Sequence, residues 1–127
     1  MFTTTLLYAG ILGIISLALS AAVGGKRGST GVSVGVGDDK DLLVATRRHA
    51  NFVEYVPLAL ILMALLEANG VSTLTIHIFG VALTVARICH PLGLSADNMS
   101  SPLRFIGAAG TFLLTAVMSV WAIVVFF

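Results

Sequence analysis

Residues 47–70 read RRHANFVEYVPLALILMALLEANG. Two arginines and a histidine give way to a run of apolar side chains long enough to enter a bilayer, yet Asn51, Glu54 and Tyr55 lie inside it. At about 100° per residue, Arg47, Asn51 and Glu54 fall within an arc of roughly 60°, with Tyr55 beside it. One helix face therefore carries a cation, an amide, a carboxylate and a phenol. Glu54 lies about 10 Å deeper along the axis than Arg47, so its carboxylate calls for a partner inside the protein. Pro57 removes a helical hydrogen bond just beyond the stripe, and a kink there would open room for a ligand.

The rest of the chain places this segment in a membrane. Of 127 residues, 57% are apolar and 10% are charged, against roughly 25% charged in an ordinary soluble domain. A span needs about 20 mostly apolar residues, and four fit as a single all-α membrane domain over residues 1–127. Their expected limits are about residues 2–23, 40–69, 71–90 and 102–127. The first run has no preceding basic segment and is longer than a signal-peptide core, so it reads as a retained anchor. Lys26 and Arg27 follow its expected end at Gly24-Gly25. Asp38 and Asp39 suit the cap of the second helix and Gly70 its terminator; Pro91 is expected to stop the third, and Ser101-Pro102 to open the fourth.

All seven basic residues, Lys26, Arg27, Lys40, Arg47, Arg48, Arg87 and Arg104, fall at or beside the first or third connection. The positive-inside rule then puts those loops in the cytoplasm and both termini outside, with any site built from these cations facing the cytoplasm. Seven cations against six acids give no basic patch for nucleic acid. The single cysteine, Cys89, cannot form an intrachain disulfide, and no Cys/His spacing resembles a zinc or other metal site. In the first loop, Gly25-Lys26 is followed by Arg27 and no strand flanks it, so a phosphate loop is set aside for a mobile linker over residues 24–39.

Polar residues in a span usually face a bundle interior and mark function. Asn51 and Glu54 could instead be structural, bonding neighbouring helices or Arg87, but four polar groups on one face favour a ligand site. Arg87 and His90, three apart, share a face of the third helix; snorkelling of Arg87 to the interface is the simpler reading. Arg104 lies in the first turn of the fourth helix, where the helix dipole disfavours a cation unless an anion joins them. His49, His77 and Cys89 read as structural. Ser16, Ser20 and Gly24 form a small-residue series suited to close packing of the first helix.

The segment of residues 47–70, the preceding VSVGVGDDKDLL, Arg87-x-x-His90 and Ser101-Pro102-Leu103-Arg104 together resemble the MAPEG family, membrane-associated proteins in eicosanoid and glutathione metabolism, and especially its short bacterial members. The resemblance covers nearly the whole chain. It implies a left-handed four-helix bundle assembled as a homotrimer in the bacterial inner membrane, with glutathione held between protomers near the cytoplasmic face. It also implies that Arg47, Asn51, Glu54, Tyr55, Arg87 and His90 bind glutathione. A basic residue just after helix one, Lys26 or Arg27, would assist, and Arg104 would stand near the glutathione sulfur. Several eukaryotic members carry a tyrosine four residues after the position of His90; here it is Leu94. That departure argues against tyrosine-assisted thiol activation and leaves Arg104 as the catalytic candidate.

The chemistry is coherent with such a ligand. Arginine binds carboxylates bidentately, Glu54 can accept from an ammonium, and Asn51 can meet an amide from both sides. A glutathione-dependent transferase or peroxidase acting on lipophilic electrophiles drawn from membrane lipid is the leading expectation. A non-catalytic family member that binds a lipid or partner is the second, and a small four-span multidrug transporter the third. Such transporters usually carry their essential acid on helix one, which here has no charge before Lys26.

Overall fold

The computed structural model describes residues 2–127. Four helices follow one another: α1 (Thr3–Thr30), α2 (Lys40–Ala68), α3 (Thr73–Gly93) and α4 (Pro102–Phe126). Each is long and apolar enough to cross a membrane, and the described residues contain no strand. The protein is an all-helical, four-span membrane bundle.

Local chemistry sets most of the boundaries. The Asp39 carboxylate accepts from the Leu42 amide at 2.7 Å and opens α2. Ser72 opens α3 in the same way, and Ser101 with Pro102 at the first helical position opens α4, each side-chain oxygen satisfying an otherwise free amide of the first turn. Past the end of α2, Gly70 takes φ 85°, a left-handed conformation that costs glycine nothing.

Two expected ends move. α1 does not stop at Gly24-Gly25 but runs on to Thr30, because glycine weakens a helix by only about 1 kcal/mol per residue and does not break it. The stop falls at Gly31, φ 70°, whose amide bonds back to the Arg27 carbonyl. The connection is therefore residues 31–39, and it is tied down: the Arg27 guanidinium donates to the carbonyls of Val32 and Gly35, at 3.1 and 2.9 Å. α3 likewise passes through Pro91 to Gly93. A proline so near the end forfeits a single backbone bond, and its fixed φ still suits a helix.

α3 packs most extensively on α4 and α1 on α2; α2 also touches α3 and α4, and α1 touches α3, but α1 and α4 do not meet. The core is built from Leu12 of α1, Phe52, Val56 and Met63 of α2, Ile76 and Leu83 of α3 and Met118 of α4. Small residues let the backbones approach, as membrane helices require where water gives no hydrophobic drive. Gly80 lies flat under the Tyr8 ring, Gly107 against the backbone of His90, and Gly93 against that of Arg104; a Cβ at any of the three would collide.

At the end opposite the cations, Glu67 of α2 accepts from the amides of Thr4 and Thr5, both at 2.8 Å. A carboxylate thus meets the open amides and positive dipole of the α1 N-terminus. Beside it the Tyr8 hydroxyl and His77 Nδ1 are 2.9 Å apart, a contact that joins α1 to α3.

Candidate functional site

The α2 stripe does not face inward as a unit. Asn51 turns partly into the bundle, whereas Arg47, Glu54 and Tyr55 are exposed on its outer surface, Tyr55 by 43%. The partner that Glu54 calls for inside the protein does not come from its own copy. Among the described residues, no side chain of the same chain pairs with it. Glu54 and Tyr55 instead border a cavity of about 290 Å³ between α2 and α4, closed by Leu58, Phe112, Thr115, Ala116 and Ser119. A carboxylate is costly against hydrocarbon, so this surface is one that lipid alone does not cover well.

Arg87 departs further from expectation. It does not snorkel: the residue is 1% exposed and its guanidinium reaches across the bundle. One terminal nitrogen donates to Asn51 Oδ1 at 2.8 Å and the other to the Gly107 carbonyl at 3.0 Å. Its Nε is buried without a partner. Arg87 therefore ties α3 to α2 and α4 and fixes the side from which Asn51 presents its amide. The nearest available acceptors are neutral, and no carboxylate of the chain pairs with it among the described residues.

His90, one turn on, is buried with 5% exposure and packs against Gly107. Arg104 sits where the sequence placed it, in the first turn of α4. Its side chain is half-buried and donates only to the Met99 carbonyl, at 3.4 Å. A cation at a helix N-terminus with no carboxylate beside it remains an electrostatically incomplete arrangement.

The two basic residues after helix one separate. Arg27 is engaged by loop carbonyls. Lys26 pairs with Asp41 at 2.9 Å and lines a different cavity, with Arg48 rather than Arg47. Within one chain Lys26 is thus not brought to the outer α2 stripe. The Leu94 backbone has a use that its side chain concealed: its carbonyl accepts from Arg48 at 2.7 Å. Glu67 was not singled out from sequence; its signal was an acid at the cation-free end of the bundle.

The MAPEG family model matches residues 5–124. Two curated relatives are similar to this chain: the inner membrane protein YecN of Escherichia coli K12 and that of Escherichia coli O6:H1 strain CFT073. Each is 37% identical over 87 residues, covering 68% of this chain and 66% of the relative. The match thus spans just under two thirds of those relatives' own length. No solved structure matches.

Proposed function

The chain belongs to the MAPEG family, and from that premise we propose that it is an inner-membrane, glutathione-dependent transferase or peroxidase working on lipophilic electrophiles. The observation that carries the reading is the outward display of Arg47, Glu54 and Tyr55 around Asn51. These groups match the chemistry of glutathione: Arg47 for a carboxylate, Glu54 for the ammonium, Asn51 for an amide. Because they lie on the outside of the bundle, a second copy of the chain closes the site, in the homotrimer that the family resemblance implies. Lys26 and Arg104 would then come to the tripeptide from a neighbouring copy, near the cytoplasmic face, with both termini outside.

In the transferase reaction the glutathione thiol loses its proton to solvent, the thiolate sulfur bonds to the electrophilic carbon, and the leaving group departs with its electron pair. In the peroxidase reaction the thiolate attacks a hydroperoxide oxygen, the O–O bond breaks to release alcohol, and a second glutathione completes the disulfide with loss of water. Either needs the thiolate. A thiol of pKa about 8.5 is mostly protonated at pH 7, and the Arg104 guanidinium with the α4 N-terminus supplies positive potential for the anion. Arg87 and His90 act from behind, holding Asn51 and the α3–α4 contact.

The test is conjugation of a chlorinated nitrobenzene and reduction of a lipid hydroperoxide by purified protein at saturating glutathione. Arg104→Ala should lower the rate about a hundredfold, as loss of one preorganised anion-stabilising group does. Turnover of neither substrate by wild-type protein would end the reading. The observation that favours a non-catalytic binding role instead is Leu94, whose side chain has no hydroxyl for the thiol. That role requires Arg104→Ala to leave ligand affinity unchanged.

A further inference from the structure

A second polar cavity, of about 800 Å³, lies between the C-terminal turns of α1, the first turns of α2 and the α3–α4 loop. Its floor is apolar, with Ala22, Val44 and Ala45, and Lys26, Lys40, Arg48, Asp41, Asp97 and Ser95 complete its wall. This volume is in the usual range for a small-molecule site. It is built within one chain, does not include the Arg47, Glu54 and Tyr55 stripe, and shares only Lys26 with the proposed glutathione site.

The charges in it do not cancel. Asp41 is taken by Lys26 at 2.9 Å, and Asp97 by Lys40 at 3.5 Å, a long contact between exposed side chains. Arg48 is left with a neutral acceptor, the Leu94 carbonyl at 2.7 Å, while its Nε is buried without a partner. A half-buried guanidinium with one of its five donors on a carbonyl and none on a carboxylate favours an oxyanion. Ser95 Oγ accepts from the Asn98 amide at 3.2 Å, which leaves its own hydroxyl hydrogen to donate. The weak Lys40–Asp97 pair can open to offer a third donor. A tetrahedral phosphate accepts from three directions at once, as a planar carboxylate does less well.

We propose that this cavity binds a phosphate monoanion against Arg48, with Ser95 and Lys40 as further donors, the phosphate being that of an anionic lipid headgroup or of a small soluble phosphate. The cavity stands at the end of the bundle that carries all seven cations, where anionic headgroups concentrate near basic segments. Its apolar floor suits the glycerol and first methylenes of a lipid.

Calorimetric titration of the detergent-purified full chain tests this with short-chain phosphatidylglycerol, a short-chain diacylglycerol that lacks the phosphate, and inorganic phosphate. Saturable phosphatidylglycerol binding, one per chain, is expected, about tenfold tighter than the diacylglycerol. Arg48→Gln should weaken it about tenfold and Asp97→Asn should strengthen it, since that change removes an acid from the wall. Asp97 is in an exposed loop, so its variant keeps the test alive if Arg48→Gln fails to fold. Inorganic phosphate that binds and displaces phosphatidylglycerol assigns the soluble source; phosphate without effect assigns the lipid. Equal binding of both lipids with no phosphate binding, or affinities that neither substitution changes, would overturn the proposal. Glutathione affinity is a separate readout: it should survive Arg48→Gln, so loss of one site and of the other can be told apart.

Discussion

Arg87 is the side chain on which the interior of this bundle turns. Its two terminal nitrogens hold Asn51 and the Gly107 carbonyl, and three helices meet through it. Arg87→Met keeps the volume but strips the part-buried Asn51 Oδ1 of its donor, while the Gly107 carbonyl keeps its bond from the Thr111 hydroxyl, at a cost of about 1–3 kcal/mol. Thermal unfolding in detergent should show that loss, and Asn51→Ala should cost at least as much, because it leaves the buried Arg87 guanidinium short of an acceptor. Glu54 makes the opposite case. Among the described residues it has no partner in its own chain, and it faces outward, so Glu54→Gln should leave the unfolding temperature of the isolated chain within the scatter of replicate wild-type scans. A large drop on that substitution would mean that the carboxylate is a packing element rather than a ligand group. The stripe itself was legible in the sequence because helical periodicity fixes which residues share a face. Its direction was not, since a polar face in a membrane can turn either to the bundle interior or to a neighbouring subunit.

At the scale of helices, termini decide the geometry. Glu67 caps α1 from α2 through two 2.8 Å bonds, and charge-assisted bonds of this kind contribute about 1.5–3 kcal/mol. Glu67→Gln should therefore lower stability, with hydrogen exchange at Thr4 and Thr5 accelerating before that of α2. Gly80→Ala puts a methyl group into the Tyr8 ring; overpacking of this sort costs about 1–3 kcal/mol, and the double change with Tyr8→Leu should recover part of it. Caps written in neighbouring residues, such as Asp39, Ser101 and Gly70, could be read in advance. The extension of α1 to Thr30 and of α3 past Pro91 could not, because glycine and proline state what a helix end tolerates and not where packing will carry the helix. The Glu67 cap joins residues more than sixty positions apart, and no local pattern announces such a contact.

For the whole molecule, the distribution of polarity is the informative feature. α1 and α4 do not touch, α2 shows a polar stripe to the outside, and the seven cations gather at one end. Four spans followed from composition and length alone, and family membership rested on motifs distributed along the chain. Assembly did not follow from either, since a small-residue series fits several stoichiometries. Intact-complex mass measurement in mild detergent should give three chains per particle, and Glu54→Gln together with Arg47→Ala should leave that number unchanged if the stripe serves ligand rather than assembly. The central claim is that the outer face of α2 binds glutathione, and calorimetric titration of glutathione into the detergent-purified protein tests it most directly. Saturable binding that Glu54→Gln and Arg47→Ala each weaken about tenfold is the predicted result; no binding at millimolar glutathione, or binding indifferent to both substitutions, would contradict it.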